Sequence, residues 1–147
     1  MRKPDPLRLI RRLPNPPERN FHLWTTPAGL KSWLGGNVPL VECDPRPGGA
    51  LRILLQSPEG RTSAYVGVFR EVRPPERLVF TWAREEAPCG AKERPDTRES
   101  MVTVEFRPSD GGTELTLTHD GLPDDMAREE YRRFWEGCLD RLARRPG

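Results

Sequence analysis

His119 is the titratable residue whose position is most suggestive of chemistry. Leu115, Leu117 and His119 alternate in a run that reads as a strand, so the three side chains share one face. A helix carrying Trp135 follows, and the imidazole is expected to point into the apolar space beneath it. Two roles are open. His119 could be a polar handle that hydrogen-bonds a ligand oxygen or acts as a base. It could also be a half-buried histidine bonded to backbone near the strand end. A lone histidine needs a nucleophile or a second base to complete a catalytic set, which favours the structural role.

The other chemistry-bearing residues are scattered. His22 lies between Phe21 and Leu23 on an early helix and is expected to face solvent. Cys43, Cys89 and Cys138 are odd in number, far apart and without a C-x-x-C pair, so neither a disulfide framework nor a zinc site is indicated. Glu42, Asp44 and Glu71 sit near turns or strand ends, where solvated carboxylates are ordinary, and do not suggest a carboxylate pair. Gly48-Gly49 lacks the strand–loop–helix context of a phosphate loop and reads as a tight turn. No catalytic set, no metal and no cofactor is expected.

The elements that would hold these residues can be read from periodicity. A first strand covers Leu7 to Arg11. A helix start follows, with Asn15 as cap, Pro16 and Pro17 in the first turn and Glu18 as a reach-back carboxylate. Thr26-Pro27 opens a second short helix with Leu30, Trp33 and Leu34 inward, and Gly35-Gly36 ends it. From Val38 the period becomes two. Leu51, Ile53 and Leu55 share a face, as do Tyr65, Gly67 and Phe69, then Leu78, Phe80 and Trp82, then Val102, Val104 and Phe106. Turns fall at Asp44 to Gly49, Ser57-Pro58-Glu59-Gly60, Pro74-Pro75 and Ser109 to Gly112. Short links between alternating strands give an antiparallel meander with one buried face. Residues 84–99 are charged, contain proline and are long for a hairpin loop, so a mobile flap is expected there.

Asp124 or Asp125 caps the last helix, where Ala127, Tyr131, Phe134, Trp135, Cys138, Leu139 and Leu142 recur at helical spacing. That stripe must be buried, and the apolar sheet face is the only large surface on offer. The fold class is therefore α+β, a curved antiparallel sheet gripping a long C-terminal helix, with two short helices after the first strand. One domain over residues 1–147 is expected.

The ordered set of local patterns resembles the START-like (SRPBCC) helix-grip superfamily, in the branch related to activators of the Hsp-ninety chaperone ATPase. The matching pieces are Trp24-Thr25-Thr26-Pro27 with Leu30 and Trp33, Asp44-Pro45-Arg46-Pro47-Gly48-Gly49, Gly67 with Phe69-Arg70-Glu71-Val72, Pro74-Pro75-Glu76-Arg77-Leu78 with Phe80-Thr81-Trp82, Gly112-Thr113 through Thr118-His119, and Trp135 with Leu139 and Leu142. The resemblance implies a seven-stranded sheet and a cavity between it and the last helix. Members of this architecture bind lipids, hormones or polyketides, and some are cyclases.

The expected cavity residues are Trp33, Leu55, Tyr65, Phe69, Trp82, Val102, His119, Tyr131 and Trp135. Trp24 and Phe21 are read as packing for the early helices. The leading expectation is a non-catalytic module for a small hydrophobic or amphipathic ligand. The alternatives are a chaperone-cofactor-like protein-interaction domain and a cyclase or hydrolase using the cavity.

Composition bounds the partners. Lys and Arg total 24 against 22 Asp and Glu, giving a net charge of +2 with both signs interspersed. That offers no strong field for nucleic acid or an anionic membrane. The basic stretches at Arg11-Arg12 and 141–145 are read as solvated faces. No run approaches the ~18 apolar residues of a membrane span, and the opening residues lack a signal-like apolar run. A cytoplasmic protein, monomeric or homodimeric, is expected.

Overall fold

The fold is taken from a computed structural model that describes residues 4–35, 37–56, 59–85 and 100–144. Gly36, the Ser57-Pro58 half of its turn, Cys89, Arg145 and all but the first two residues of the expected flap lie outside them. Those first two, Arg84 and Glu85, belong to a strand.

The order is β1 (Leu7–Leu13), α1 (Pro17–Thr25), α2 (Pro27–Leu34), β2 (Asn37–Cys43), β3 (Ala50–Gln56), β4 (Thr62–Arg73), β5 (Arg77–Glu85), β6 (Ser100–Ser109), β7 (Gly112–Asp120) and α3 (Asp125–Ala143). The sheet runs β1-β7-β6-β5-β4-β3-β2, antiparallel throughout. Strands β2 to β7 form a meander, and β1 closes onto β7 at the far edge. This is the helix-grip architecture, with α3 on the apolar face.

Local chemistry explains most boundaries. Thr26 Oγ1 accepts from Gly29 N at 3.0 Å and starts α2. Asp124 Oδ1 accepts from Ala127 N at 2.8 Å and starts α3. Asp110-Gly111 turns the β6–β7 hairpin with both residues at positive φ, 46° and 81°, the geometry a two-residue loop requires. The cap expected at Asn15 is not there: Pro16 is the N-cap and no side chain caps α1. Proline has no N–H, so a reach-back bond from Glu18 to the cap is impossible. Asn15 is buried instead, its carbonyl accepting from Asn20 Nδ2 at 2.8 Å and Thr113 Oγ1 at 2.7 Å. This network ties α1 to the start of β7.

Register sets the inward face. Leu7, His119, Val102, Phe80 and Phe69 stand opposite one another across β1, β7, β6, β5 and β4. All five are buried. From α3, Trp135, Cys138, Leu139 and Leu142 are buried against the core. Ala127, Tyr131 and Phe134, nearer its N-terminus, stay half-buried. The helix therefore closes on the core along its C-terminal half and leaves space under its first turns.

Candidate functional site

His119 sits in that inward row with no exposed surface. Its Nδ1 is 3.1 Å from Trp135 Nε1, and its Nε2 is 2.6 Å from Ser100 Oγ. An indole nitrogen only donates, so Nδ1 accepts and the ring proton must be on Nε2. Nε2–H then donates to Ser100 Oγ, which donates in turn to Trp82 O at 2.8 Å. Burial pushes the imidazole pKa down to about 3, so the ring is neutral at ordinary pH.

The Ser100–His119 distance is that of a nucleophile and its base, yet the proton lies the wrong way round. A base must accept the serine proton at Nε2, and here that atom already holds one. The sequence reading expected half-burial and a backbone bond. The ring is instead fully buried and bonded to two side chains, reaching backbone only through Ser100.

Two spaces lie along the sheet–α3 contact. The first is a cleft of about 380 Å³ beneath the N-terminal half of α3. Tyr65, Tyr131 and Phe134 form its aromatic part, and Arg84, Asp124 and Glu130 its charged part. Tyr65 stacks between Trp82, with ring centroids 5.0 Å apart, and Phe134, at 5.9 Å. Burial raises the Tyr65 phenol pKa, an effect that the Arg84 charge opposes. The second is an interior space of only about 10 Å³, bordered by Trp24, Trp33, Phe69, Trp82 and Trp135 among others. Trp82 borders the interior and meets the cleft wall, its Nε1 donating to Tyr131 Oη at 3.3 Å.

The nine expected residues divide accordingly. Tyr65 and Tyr131 line the cleft, while Trp33, Phe69, Trp82 and Trp135 surround the interior space. Val102 and His119 are fully buried side by side, and Leu55 is half-buried on β3; none of these three lines either space. Phe134, Arg84, Ser100 and Trp24 were not on that list. Phe134 stood in the helical stripe and was recoverable. Arg84 looked like part of a charged loop, and nothing local links Ser100 to a histidine 19 residues away. Trp24, read as packing for the early helices, stacks on Trp135 with centroids 6.1 Å apart.

The remaining candidates are spent structurally. His22 is exposed. Asp44 pairs with Arg46 at 2.8 Å, and Glu71 with Arg73 at 2.7 Å. The Cys138 thiol is pushed up to about 12 by burial, and Cys43 to about 11 by burial and the Asp44 charge, so both stay protonated. No group of three or more His, Cys, Asp or Glu could hold a metal among the described residues. Arg141, expected to be solvated, instead reaches back to α2: its Nε donates to Trp33 O at 2.8 Å and its Nη2 to Leu34 O at 2.9 Å.

Residues 14–145 match the family model described as Activator of Hsp90 ATPase homolog 1-like protein. The chain belongs to this family. Its START-like fold recurs in a Chromobacterium violaceum protein, 28% identical, with a TM-score of 0.82 over 95% of this chain and 96% of that one. The AHSA1 protein of Silicibacter pomeroyi is also 28% identical, with a TM-score of 0.81 and 95% of both chains covered. DynU16, from the dynemicin biosynthetic locus, shares the fold at 20% identity and a TM-score of 0.73, over 96% of this chain and 47% of that one. No curated protein matches at a significant level. Membership fits a ligand-binding or cofactor-like module. Among the described residues, no helix is long and apolar enough to cross a membrane.

Proposed function

We propose that this family member binds a small hydrophobic or amphipathic molecule between the sheet and α3, and that the molecule enters through the cleft under the first turns of α3. The observation that carries the reading is the aromatic-walled cleft of about 380 Å³, within the usual size of small-molecule sites. Burial against Tyr65, Tyr131 and Phe134 supplies the affinity. Arg84, Asp124 and Glu130 orient a polar end. His119 holds Trp135 and Ser100 in place behind the site, since both of its nitrogens are engaged.

Native mass spectrometry of the purified chain, with a thermal-shift screen of fatty acids, sterols, flavonoids and polyketide-like aromatics, tests the reading. A co-purified mass or a saturable shift, weakened by Phe134→Ala, supports it.

A second reading has an observation of its own. The interior space is nearly filled, and Met126, beside the cleft, is 72% exposed. The nearly filled interior favours a cofactor-like surface that docks on a chaperone. Stimulation of an Hsp90-type ATPase, with no ligand shift across the panel, would support that reading over the first.

A further inference from the structure

The cleft under α3 holds two opposite charges that no described residue neutralises. Arg84 comes from β5 and Glu130 from α3, and both line the cleft. Among the described residues the Arg84 side chain has one bond, Nη2 donating to Ser63 Oγ at 3.4 Å. The Glu130 carboxylate has none, and the two charges are not paired with each other. On the same helix Glu129 and Glu136 pair with Arg132, and Asp124 is spent on the α3 cap.

Tyr65 lies within reach of both charges. It is the cross-strand neighbour of Arg84, so their side chains share the face that α3 covers. Burial raises the phenol pKa; the Arg84 charge lowers it and the Glu130 charge raises it, so both act on the phenol. The phenol oxygen has no hydrogen-bond partner among the described residues, yet it is not sealed as Trp24 Nε1 and Asn20 Oδ1 are. It opens on the cleft, and its O–H can donate there. The sheet side thus offers a cation and a neutral donor side by side, and the helix side offers an anionic acceptor.

We infer that the ligand of this cleft is an aromatic hydroxy acid, whose carboxylate accepts from Arg84 and Tyr65 and whose hydroxyl, across the ring system, donates to Glu130. This rests on the proposed ligand-binding function and deepens it. An acid without the hydroxyl would set its charge near Glu130 with no bond to offset the repulsion. A phenol without the acid would leave Arg84 unpaired. Tyr131 and Phe134 supply flat walls for a ring, and about 380 Å³ admits two fused rings.

The test is calorimetric titration of the full chain at pH 7 with 6-hydroxy-2-naphthoate, 2-naphthoate and 2-naphthol. The hydroxy acid is expected to bind about tenfold tighter than 2-naphthol and about threefold tighter than 2-naphthoate. In Arg84→Gln the advantage over 2-naphthol should vanish while 2-naphthol itself binds as before. In Glu130→Gln the advantage over 2-naphthoate should vanish while 2-naphthoate binds no more weakly. Both positions are exposed, so both variants should fold, with circular dichroism as the check. Equal affinities of the three compounds overturn the inference while leaving an apolar site intact. Preferences that persist in both variants overturn it too, because other groups then read the acid and the hydroxyl. Binding of none of the three also overturns it, and the broader ligand screen then decides separately whether the cleft is a binding site.

Discussion

Acid should destabilise the chain through His119 in the window between pH 7 and pH 5. The neutral ring is held by a donor on one nitrogen and an acceptor on the other. A proton added at Nδ1 would face the Trp135 N–H, donor against donor. The folded pKa of about 3 lies below the ordinary 6.5, so the unfolded chain takes up the proton first. Stability is then fully present above 6.5 and is lost as pH falls towards 3, at close to 1.4 kcal/mol per pH unit. From pH 7 to pH 5 the loss is about 2 kcal/mol. Glu129, whose pKa is lowered from 4.5 first by its hydrogen bond with Arg132, loses its contribution only below 4.5 and does not intrude. Urea unfolding at pH 7, 6 and 5, followed by tryptophan fluorescence, measures the slope. His119→Gln keeps an acceptor and a donor but does not titrate, so its stability should be nearly flat over the same range. A flat wild-type profile, or an equal slope in His119→Gln, would refute the assigned tautomer and its burial.

Three further outcomes follow from the same packing. Trp135→Ala should cost about 3–5 kcal/mol, because it opens a cavity and strips His119 Nδ1 of its donor; denaturant midpoints would check this. Arg141→Lys should lose about 1–3 kcal/mol in the same assay, since one ammonium cannot span both the Trp33 and Leu34 carbonyls. Asp124→Ala should cost about 1 kcal/mol by loss of the α3 cap, seen as a lower melting temperature with an unchanged circular dichroism spectrum.

The sheet was legible because its signal is local. Leu78, Phe80 and Trp82, or Val102, Val104 and Phe106, declare their face by alternation alone, and all six are buried. Thr26 and Asp124 were legible as caps because each bonds an N–H three residues on. Asn15 was misplaced because Pro16 and Pro17 each fit the start of a helix, and only the tie to Thr113, 98 residues away, decides between registers. His119 could be turned inward by parity, but its bond partners come from another strand and from α3, so its protonation state was not readable. Arg141 belonged by periodicity to the charged face of α3. Its long side chain reaches carbonyls more than a hundred residues earlier, which no local pattern records.

The pairing of β1 with β7 governs how the chain must be made. Leu7 finds its opposite number in His119 and Leu13 in Thr113, about a hundred residues later. On a ribosome β1 therefore emerges on the order of ten seconds before β7, its one sheet neighbour among the described residues, exists. Throughout that interval Leu7, Leu9, Phe21 and Trp24, buried or half-buried once folded, have no β7 or α3 to cover them. The meander from β2 to β6 can zip as it appears, whereas the N-terminal segment waits. These hydrophobic side chains thus wait for their cover until β7 and α3 have been made.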